Sequence, residues 1–170
     1  MSSSLYKLEV KTVQTNAFKT LCEALKEILT DTNIIFSPDG IKIIAMDPSH
    51  TVLVHLKLEK SSFEEYNCNE KVIVGISMLN FFKLIKTMTN NDTLTLFIEK
   101  NDENKLGIRI ENGEKNSITT YKLNLMDLNE DNITIPPAAF ESIITLPSTD
   151  FQKICRDMSN LSDTIEIKSV

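Results

Sequence analysis

Residues 18–25 read FKTLCEAL, and residues 151–158 read FQKICRDM. In both stretches a Phe is followed, at offsets of three, four and seven residues, by Leu or Ile, by Cys, and by Leu or Met. This spacing places the four side chains on one face of an amphipathic helix. The same helix face therefore occurs twice, which indicates that the chain contains an internal repeat.

Working outward from the first helix, the first 124 residues divide into two similar units. Each unit has one strand, one helix and three further strands. Helical periodicity predicts a helix over 16–29 with Asn16 as its N-cap, and a second helix over 77–88 with Ser77 as its N-cap. Strands joined by short turns favour antiparallel sheets, with the helices gathered on one face. The predicted fold class is therefore α+β.

The second quoted helix belongs to a third, shorter copy of the unit. Residues 125–138 show no sustained period and contain Asp, Asn and a Pro pair, which predicts a linker. The third copy has predicted strands over 139–146 and 163–170, on either side of its helix. The expected organisation is a complete first domain over 1–124, the linker, and an incomplete second domain over 139–170.

The composition is that of an ordinary globular protein. Of the 170 residues, 41% are hydrophobic and 25% are charged. The net charge of −6 argues against nucleic-acid binding as a property of the whole surface, although binding depends on where the charges lie. The N-terminus has no apolar segment of signal-peptide length, and no apolar run is long enough to cross a membrane, so neither export nor membrane insertion is expected.

The three cysteines do not form a recognisable chemical motif. Cys22, Cys68 and Cys155 are odd in number and lack C-x-x-C spacing, so neither a disulfide framework nor a Cys-rich zinc site is predicted. Cys22 and Cys155 lie on the apolar faces of their helices. We expect both to pack as small apolar residues in a reducing compartment.

No enzymatic constellation can be identified from the residues. His50 and His55 are the only histidines, and there is neither a phosphate-binding loop motif nor a glycine-rich dinucleotide fingerprint. His50 beside Asp47 is compatible with a catalytic pair, but a hydrogen-bonding role in a loop is the favoured interpretation. Acidic residues show no diagnostic metal-binding spacing. The sequence therefore predicts no enzyme, no cofactor and no metal.

The three predicted helices also carry pairs of basic residues away from their apolar faces. The spacing within each pair places both side chains on one side of the helix. The pairs are Lys19 with Lys26, Lys83 with Lys86, and Lys153 with Arg156. Two interpretations stay open: a solvated helix face, which commonly carries lysines, and a shared surface that contacts phosphates without reading sequence. No aromatic residue interleaves with the lysines, so base stacking is not predicted.

Four stretches resemble one protein family over nearly the whole chain, from about Leu8 onward. They are CEALKEIL at 22–29, AMDPSHTVLVHL at 45–56, LNLMDLNEDNITIP at 123–136 and LPSTDFQKICRDMSNLSDTIEI at 146–167. They are similar to the eukaryotic-type DNA sliding clamp, the proliferating cell nuclear antigen family. The M-D-x-S-H and L-M-D-L motifs are specific to that family.

The resemblance implies a DNA-clamp fold and a ring. Members of the family have two domains built from the doubled unit, and three subunits join head to tail around duplex DNA. The helices line the hole and the sheets form the outer wall. The six basic residues of the helix pairs would then face the DNA phosphates. Thr20 stands where the family commonly has a further lysine, so the first helix departs from the pattern.

The resemblance also implies a pocket for partner proteins beside the linker, which would be the interdomain connecting loop. Short partner motifs would dock there as a turn with aromatic anchors. By match, the pocket would be lined by Met46, His50, Leu53, Leu128, Ile133 and Ile135. Ile133 and Ile135 are apolar residues in a polar linker, so they are candidates for binding, or for pinning the linker to the sheet. The acidic residues Asp127, Glu130 and Asp131 would attract basic residues that flank a partner motif.

Two departures and one interface complete the expectations from the resemblance. Pro48 stands where many relatives have serine, and Pro137 follows the loop; either would alter partner choice. Subunits would join by strand pairing through residues 114–124, with Ser117, Thr119 and Tyr121 at the contact. The receiving strand would lie in the part of the second domain that this sequence does not include.

The implied role is that of a processivity factor in DNA replication and repair. Its partners would be double-stranded DNA, DNA polymerase, other proteins with clamp-binding motifs and a clamp loader, with a homotrimer as the full-length assembly and no membrane. The expected location is the nucleus, or the replication compartment of a virus. A checkpoint-type clamp subunit, which works in a heterotrimeric ring, is the alternative that stays open.

Overall fold

The computed structural model describes residues 5–129, 133, 135 and 139–168. The chain divides into two compact units, Met1–Ile133 and Thr134–Val170. Within the described residues, no helix is both long and apolar enough to span a membrane.

The first unit is a mixture of strands and helices. Its strands are β1 (Tyr6–Thr12), β2 (Asp31–Ser37), β3 (Gly40–Met46), β4 (Leu53–Glu59), β5 (Glu65–Cys68), β6 (Val72–Ser77), β7 (Asp92–Glu99), β8 (Asp102–Asn112) and β9 (Ser117–Asn124). Its helices are α1 (Thr15–Ile28) and α2 (Met78–Ile85), with a short 3-10 helix at Lys60–Ser62. The strands form two sheets, in the orders β5-β1-β7-β8-β9 and β4-β3-β2-β6, and every pairing is antiparallel. The α+β prediction is confirmed.

The two predicted repeats exchange their first strands. β1, from the first repeat, pairs with β7 of the second, and β6, from the second repeat, pairs with β2 of the first. Leu8 lies opposite Ile98, and Ile34 lies opposite Val74; all four side chains are buried. The two repeats therefore share one hydrophobic core.

The helices pack side by side, each beginning where the other ends. The Met78 backbone amide donates a 2.8 Å hydrogen bond to the Thr30 carbonyl, and the Thr15 hydroxyl donates a 2.7 Å bond to the Thr89 carbonyl. The amphipathic prediction explains their orientation, because the buried apolar side chains of both helices are ones that it placed on the apolar faces. These are Cys22, Leu25, Met78, Phe81 and Ile85.

The prediction for the start of α1 is wrong. Asn16 lies inside the first turn, and Gln14 occupies the N-cap without a side-chain hydrogen bond. The helix starts earlier because the Thr12 hydroxyl accepts a 3.0 Å bond from the Gln14 amide, so the turn before the helix is already fixed. Ser77 does occupy the N-cap of α2, although its side chain makes no capping bond.

The second unit has less regular structure than predicted. It contains α3 (Ser148–Ser159), whereas the strands predicted over 139–146 and 163–170 do not form at the described residues of either segment. A strand needs a neighbour to satisfy its backbone groups, and no described strand pairs with these segments. Cys155 is exposed rather than packed, because the apolar face of α3 is uncovered among the described residues. In contrast, Cys22 is buried, and this burial raises its pKa to about 12.

Candidate nucleic-acid interface and partner groove

The candidate nucleic-acid interface begins with the seam between α1 and α2. Phe18 of α1 and Phe81 of α2 meet edge to face, with 6.4 Å between their ring centroids. This aromatic contact fixes the two helices beside each other. Side chains on the solvent side of the seam are thereby held close to both helices.

Two predicted basic residues lie along this seam. The Lys19 ammonium donates a 2.8 Å hydrogen bond to the Met88 carbonyl, just beyond α2. The Lys26 ammonium lies 5.1 Å from the centroid of the Phe82 ring and pairs with Glu27. Both lysines are half-buried, so part of their charge is engaged within the protein.

The other two predicted interface lysines of the first unit are exposed. Lys83 and Lys86 are three residues apart on α2 and at its end, so they share one side. Lys86 also follows Phe82 by one turn, which places it on the side that faces Lys26. Four cationic side chains therefore follow the helix pair. In the second unit, Lys153 and Arg156 are exposed on α3.

A groove on the outer face of the second sheet forms the candidate partner site. Its volume is about 170 Å³. Three strands form its floor, and the segment after β9 forms one wall. The lining residues are Asp31, Thr32, Asn33, Ile35, Ile44, Ala45, Met46, Ile73, Leu128 and Asn129. Two of the six predicted pocket residues, Met46 and Leu128, are thus brought together.

The other four predicted pocket residues are not among those that line this groove. Leu53 is the cross-strand partner of Met46 and is 43% exposed, so it stands at the end of the same sheet. His50 lies in the preceding loop and is exposed. Ile133 is half-buried at the end of the first unit, and Ile135 is exposed in the second unit. Glu130, Asp131 and Pro137 lie outside the described residues.

Asp47 organises the loop that carries His50. Its Oδ1 accepts 2.7 Å hydrogen bonds from the backbone amides of Thr51 and Val52. Hydrogen bonds from the Ser49 hydroxyl and from backbone amides including that of Val52 hold the pKa of Asp47 well below its usual range. His50 has a φ of 56° and bonds to the Asp47 carbonyl through its own backbone amide. The Asp47 carboxylate therefore serves to shape the loop.

Sequence reasoning missed most of the groove floor. Ile35, Ile44 and Ile73 each follow a buried strand residue and project to the opposite face of the sheet. A signal was available, because stretches such as NIIF and VIV place apolar residues on both faces of a strand. Apolar side chains on the outer face of an antiparallel sheet, here beside Asp31, Asn33 and Asn129, make this face a candidate for partner binding.

The predicted subunit-interface residues lie on one strand at the border of the first sheet. Ser117, Thr119 and Tyr121 alternate along β9 and line a cleft of about 160 Å³ that also includes Asp92. Among the described strands, β9 pairs with β8 alone. Its other edge offers backbone groups for pairing with a further strand. Over the described range, no group of three His, Cys, Asp or Glu side chains is arranged to hold a metal ion.

Comparison with known families identifies the chain. The family model described as "Proliferating cell nuclear antigen, N-terminal domain" matches residues 7–133. The chain belongs to the proliferating cell nuclear antigen family. The model for the C-terminal domain of proliferating cell nuclear antigen matches residues 134–170. The predicted resemblance is therefore confirmed.

Individual relatives in the proliferating cell nuclear antigen family agree. The chain is 40% identical over 158 residues to "Probable DNA polymerase sliding clamp 1" of Paramecium bursaria Chlorella virus 1, covering 93% of this chain and 60% of the relative. It is 29% identical over 161 residues to "Proliferating cell nuclear antigen" of Dictyostelium discoideum, covering 95% of this chain and 62% of the relative. The chain thus spans about three fifths of the length of these relatives.

A solved structure shows the same fold. The crystal structure of proliferating cellular nuclear antigen from Entamoeba histolytica matches with a TM-score of 0.85 and 32% sequence identity, over 93% of this chain and 63% of that chain. The DNA-clamp fold predicted from the resemblance is therefore confirmed.

Proposed function

We propose that the protein is a DNA sliding clamp that surrounds duplex DNA and tethers replication proteins to it. The observation that carries this proposal is the row of four cationic side chains along the α1–α2 pair of a chain from this family. The net charge of the whole chain is −6, so these lysines are concentrated locally against an acidic background. A small number of phosphate contacts without base readout suits a protein that moves along DNA.

We propose the same phosphate-facing role for Lys153 and Arg156 of α3. The proposed organisation is a first clamp domain over 1–124, a connecting loop over 125–138, and the beginning of a second domain from 139. The division of the structure between residues 133 and 134 falls inside the proposed loop, which supports this arrangement. The exposed edge of β9, with Ser117, Thr119 and Tyr121, supports subunit joining by strand pairing into a homotrimeric ring.

The proposed mechanism is binding without chemistry. Sliding clamps are in general not enzymes, and the proposed role requires no chemical reaction. Encirclement retains the clamp on DNA, while weak contacts let it slide. DNA polymerase and other partners would dock in the outer groove, and a clamp loader would open the ring. The names of the viral and cellular relatives support a location in the nucleus or in a viral replication compartment.

A topological experiment tests the clamp function. We expect the native protein, once loaded on nicked circular DNA, to remain bound in high salt, because escape from a closed circle requires the ring to open. Cutting the circle with a restriction enzyme should release the protein, since it slides off the ends. The measurement is the fraction that coelutes with DNA before and after cutting. Equal retention on cut and uncut circles would contradict encirclement.

The partner pocket has a separate test. We expect the double substitution Ile133→Ser and Ile135→Ser to weaken binding of a peptide with an aromatic-anchored turn by at least about tenfold, because a buried Ile contributes about 1.5–3 kcal/mol. The measurement is titration calorimetry. Val13→Ser is the control, since Val13 is an exposed β-branched residue next to β1 and belongs neither to the proposed connecting loop nor to the groove lining. Unchanged peptide affinity in the double variant would remove the two isoleucines from the site.

A further inference from the structure

The segment that follows β9 connects the two sheets of the first unit. The Leu125 amide donates a 2.9 Å hydrogen bond to the Asn104 carbonyl, on β8 of the first sheet. The Met126 amide donates a 2.8 Å bond to the Gly75 carbonyl, on β6 of the second sheet. Residues 125–129 therefore leave one sheet and continue along the edge of the other. The far end of this segment, Leu128 and Asn129, forms one wall of the groove.

The segment approaches β6 so closely that a side chain at Gly75 would not fit. A Cβ atom there would lie 2.2 Å from the Met126 carbonyl oxygen and 3.1 Å from Oδ1 of Asn33. The absence of a side chain thus lets a backbone pass over the strand. The close approach also brings Asn33 next to the segment, because Asn33 is the cross-strand partner of Gly75.

Asn33 reaches the wall of the groove with its side-chain amide. Its Nδ2 lies 3.3 Å from the Leu128 carbonyl oxygen and 3.3 Å from the Asn129 carbonyl oxygen. One NH₂ group has two donors, so it can serve two consecutive carbonyls. Ile35 and Ile73, which share the groove with Asn33, have no donor to offer. Among the residues that line the groove floor, Asn33 is therefore the one that ties the wall to the sheet.

We propose that Asn33 is a positioning residue, which holds Leu128 and Asn129 as a preformed wall and thereby sets the affinity of the groove for partner peptides. This inference rests on the proposed peptide-binding function of the groove. Asn33 acts through the backbone of the wall, and the peptide needs no contact with it. A wall that is held in place before binding does not have to be ordered at binding, so the competent state is more populated.

Two substitutions separate the hydrogen bonds from the shape of the side chain. Asn33→Ala removes the amide, and Asn33→Asp keeps its shape but replaces both N–H donors with an oxygen that repels the two carbonyls. Asn67→Ala is the matched control, because Asn67 is exposed on β5 and outside the groove. The probe is a synthetic peptide with an aromatic-anchored turn, titrated by calorimetry into the full chain. Hydrogen exchange of the Met126 amide reports the position of the wall without any peptide.

We expect both Asn33 variants to bind the peptide about tenfold more weakly, the factor that follows if the wall is in place for about a tenth of the time. The Met126 amide should exchange faster in both variants, while the amides of the buried strand β7 keep their wild-type exchange rates. The Asn67→Ala control should keep wild-type affinity and wild-type exchange. Wild-type affinity in Asn33→Asp would overturn the role of the hydrogen bonds. Wild-type affinity in both variants would overturn the proposal.

The two levels of inference fail in different ways. If the wild-type chain binds no peptide, the proposed function of the groove is wrong, and hydrogen exchange alone decides the positioning role. Unchanged exchange at Met126 in both Asn33 variants then overturns that role as well. Faster exchange across the whole of β7 would show general loss of structure, which contradicts a role confined to the wall.

Discussion

Replacing Phe81 with Ala should lower the free energy of unfolding by about 3–5 kcal/mol. Phe81 is 1% exposed at the centre of α2 and holds α1 through its edge-to-face contact with Phe18. It also lines a small apolar cavity of about 20 Å³. Truncation would enlarge this existing void, which puts the expected cost toward the upper part of the range. Chemical denaturation followed by circular dichroism measures the change.

The matched control for Phe81 lies on the same helix. Leu79 is 50% exposed, so Leu79→Ala should change the free energy of unfolding by no more than about 0.5 kcal/mol. The comparison separates burial from helix propensity, because both substitutions introduce the best helix former. Equal destabilisation by the two substitutions would show that α2 does not pack on the core as described.

Among the proposed DNA-facing lysines of the α1–α2 pair, reversing the charges of Lys83 and Lys86 should give the largest loss of DNA affinity. Near 50 mM salt, each lost phosphate contact weakens binding by about tenfold, so the double substitution to Glu should cost at least about 100-fold. The slope of the logarithm of the binding constant against the logarithm of the salt concentration should become shallower by about two, one for each lost phosphate contact. These two lysines are chosen because they are exposed, whereas Lys19 and Lys26 are partly engaged with α2. The measurement is fluorescence anisotropy with a short labelled duplex across a salt series.

The control for the charge reversal makes the same change in net charge outside the helices. Lys42 on β3 and Lys100 after β7 are exposed and lie away from both helices. Lys42→Glu with Lys100→Glu should leave the salt slope unchanged and reduce affinity only through the general field of the protein. If the two double variants lose affinity equally, the helix pair is not the DNA-facing surface.

Periodicity was sufficient to predict the two helices of the first unit and most of the strands. The i, i+3, i+4, i+7 pattern identified Cys22 and Leu25 as core residues because the helix has one buried side. β5 was missed, since four residues, EYNC, are too short to establish a period. The exchange of β1 and β6 between sheets was also beyond periodicity, because alternation identifies a strand without identifying its neighbour.

The sequence predicted the part of the candidate site that lies on helix faces. It did not predict the part in which a distant segment of the chain packs against the sheet. The basic residues of α1 and α2 were found because neighbours on a helix are fixed by spacing. Asn33 gave no signal, since its partners lie more than ninety residues away along the chain. The strands expected in the second unit failed for a related reason: local β propensity forms a strand only where a partner satisfies its backbone.

The exchange of first strands makes the two repeats of the first unit depend on each other. During synthesis on a ribosome, β1 emerges early, meets β5 first, and gains its second neighbour only when β7 has been made. If the two repeats were made as separate polypeptides, β1 would lack β7 as a neighbour and β6 would lack β2. The duplication therefore behaves as one cooperative folding unit rather than as two modules, and neither half is a minimal autonomous fragment.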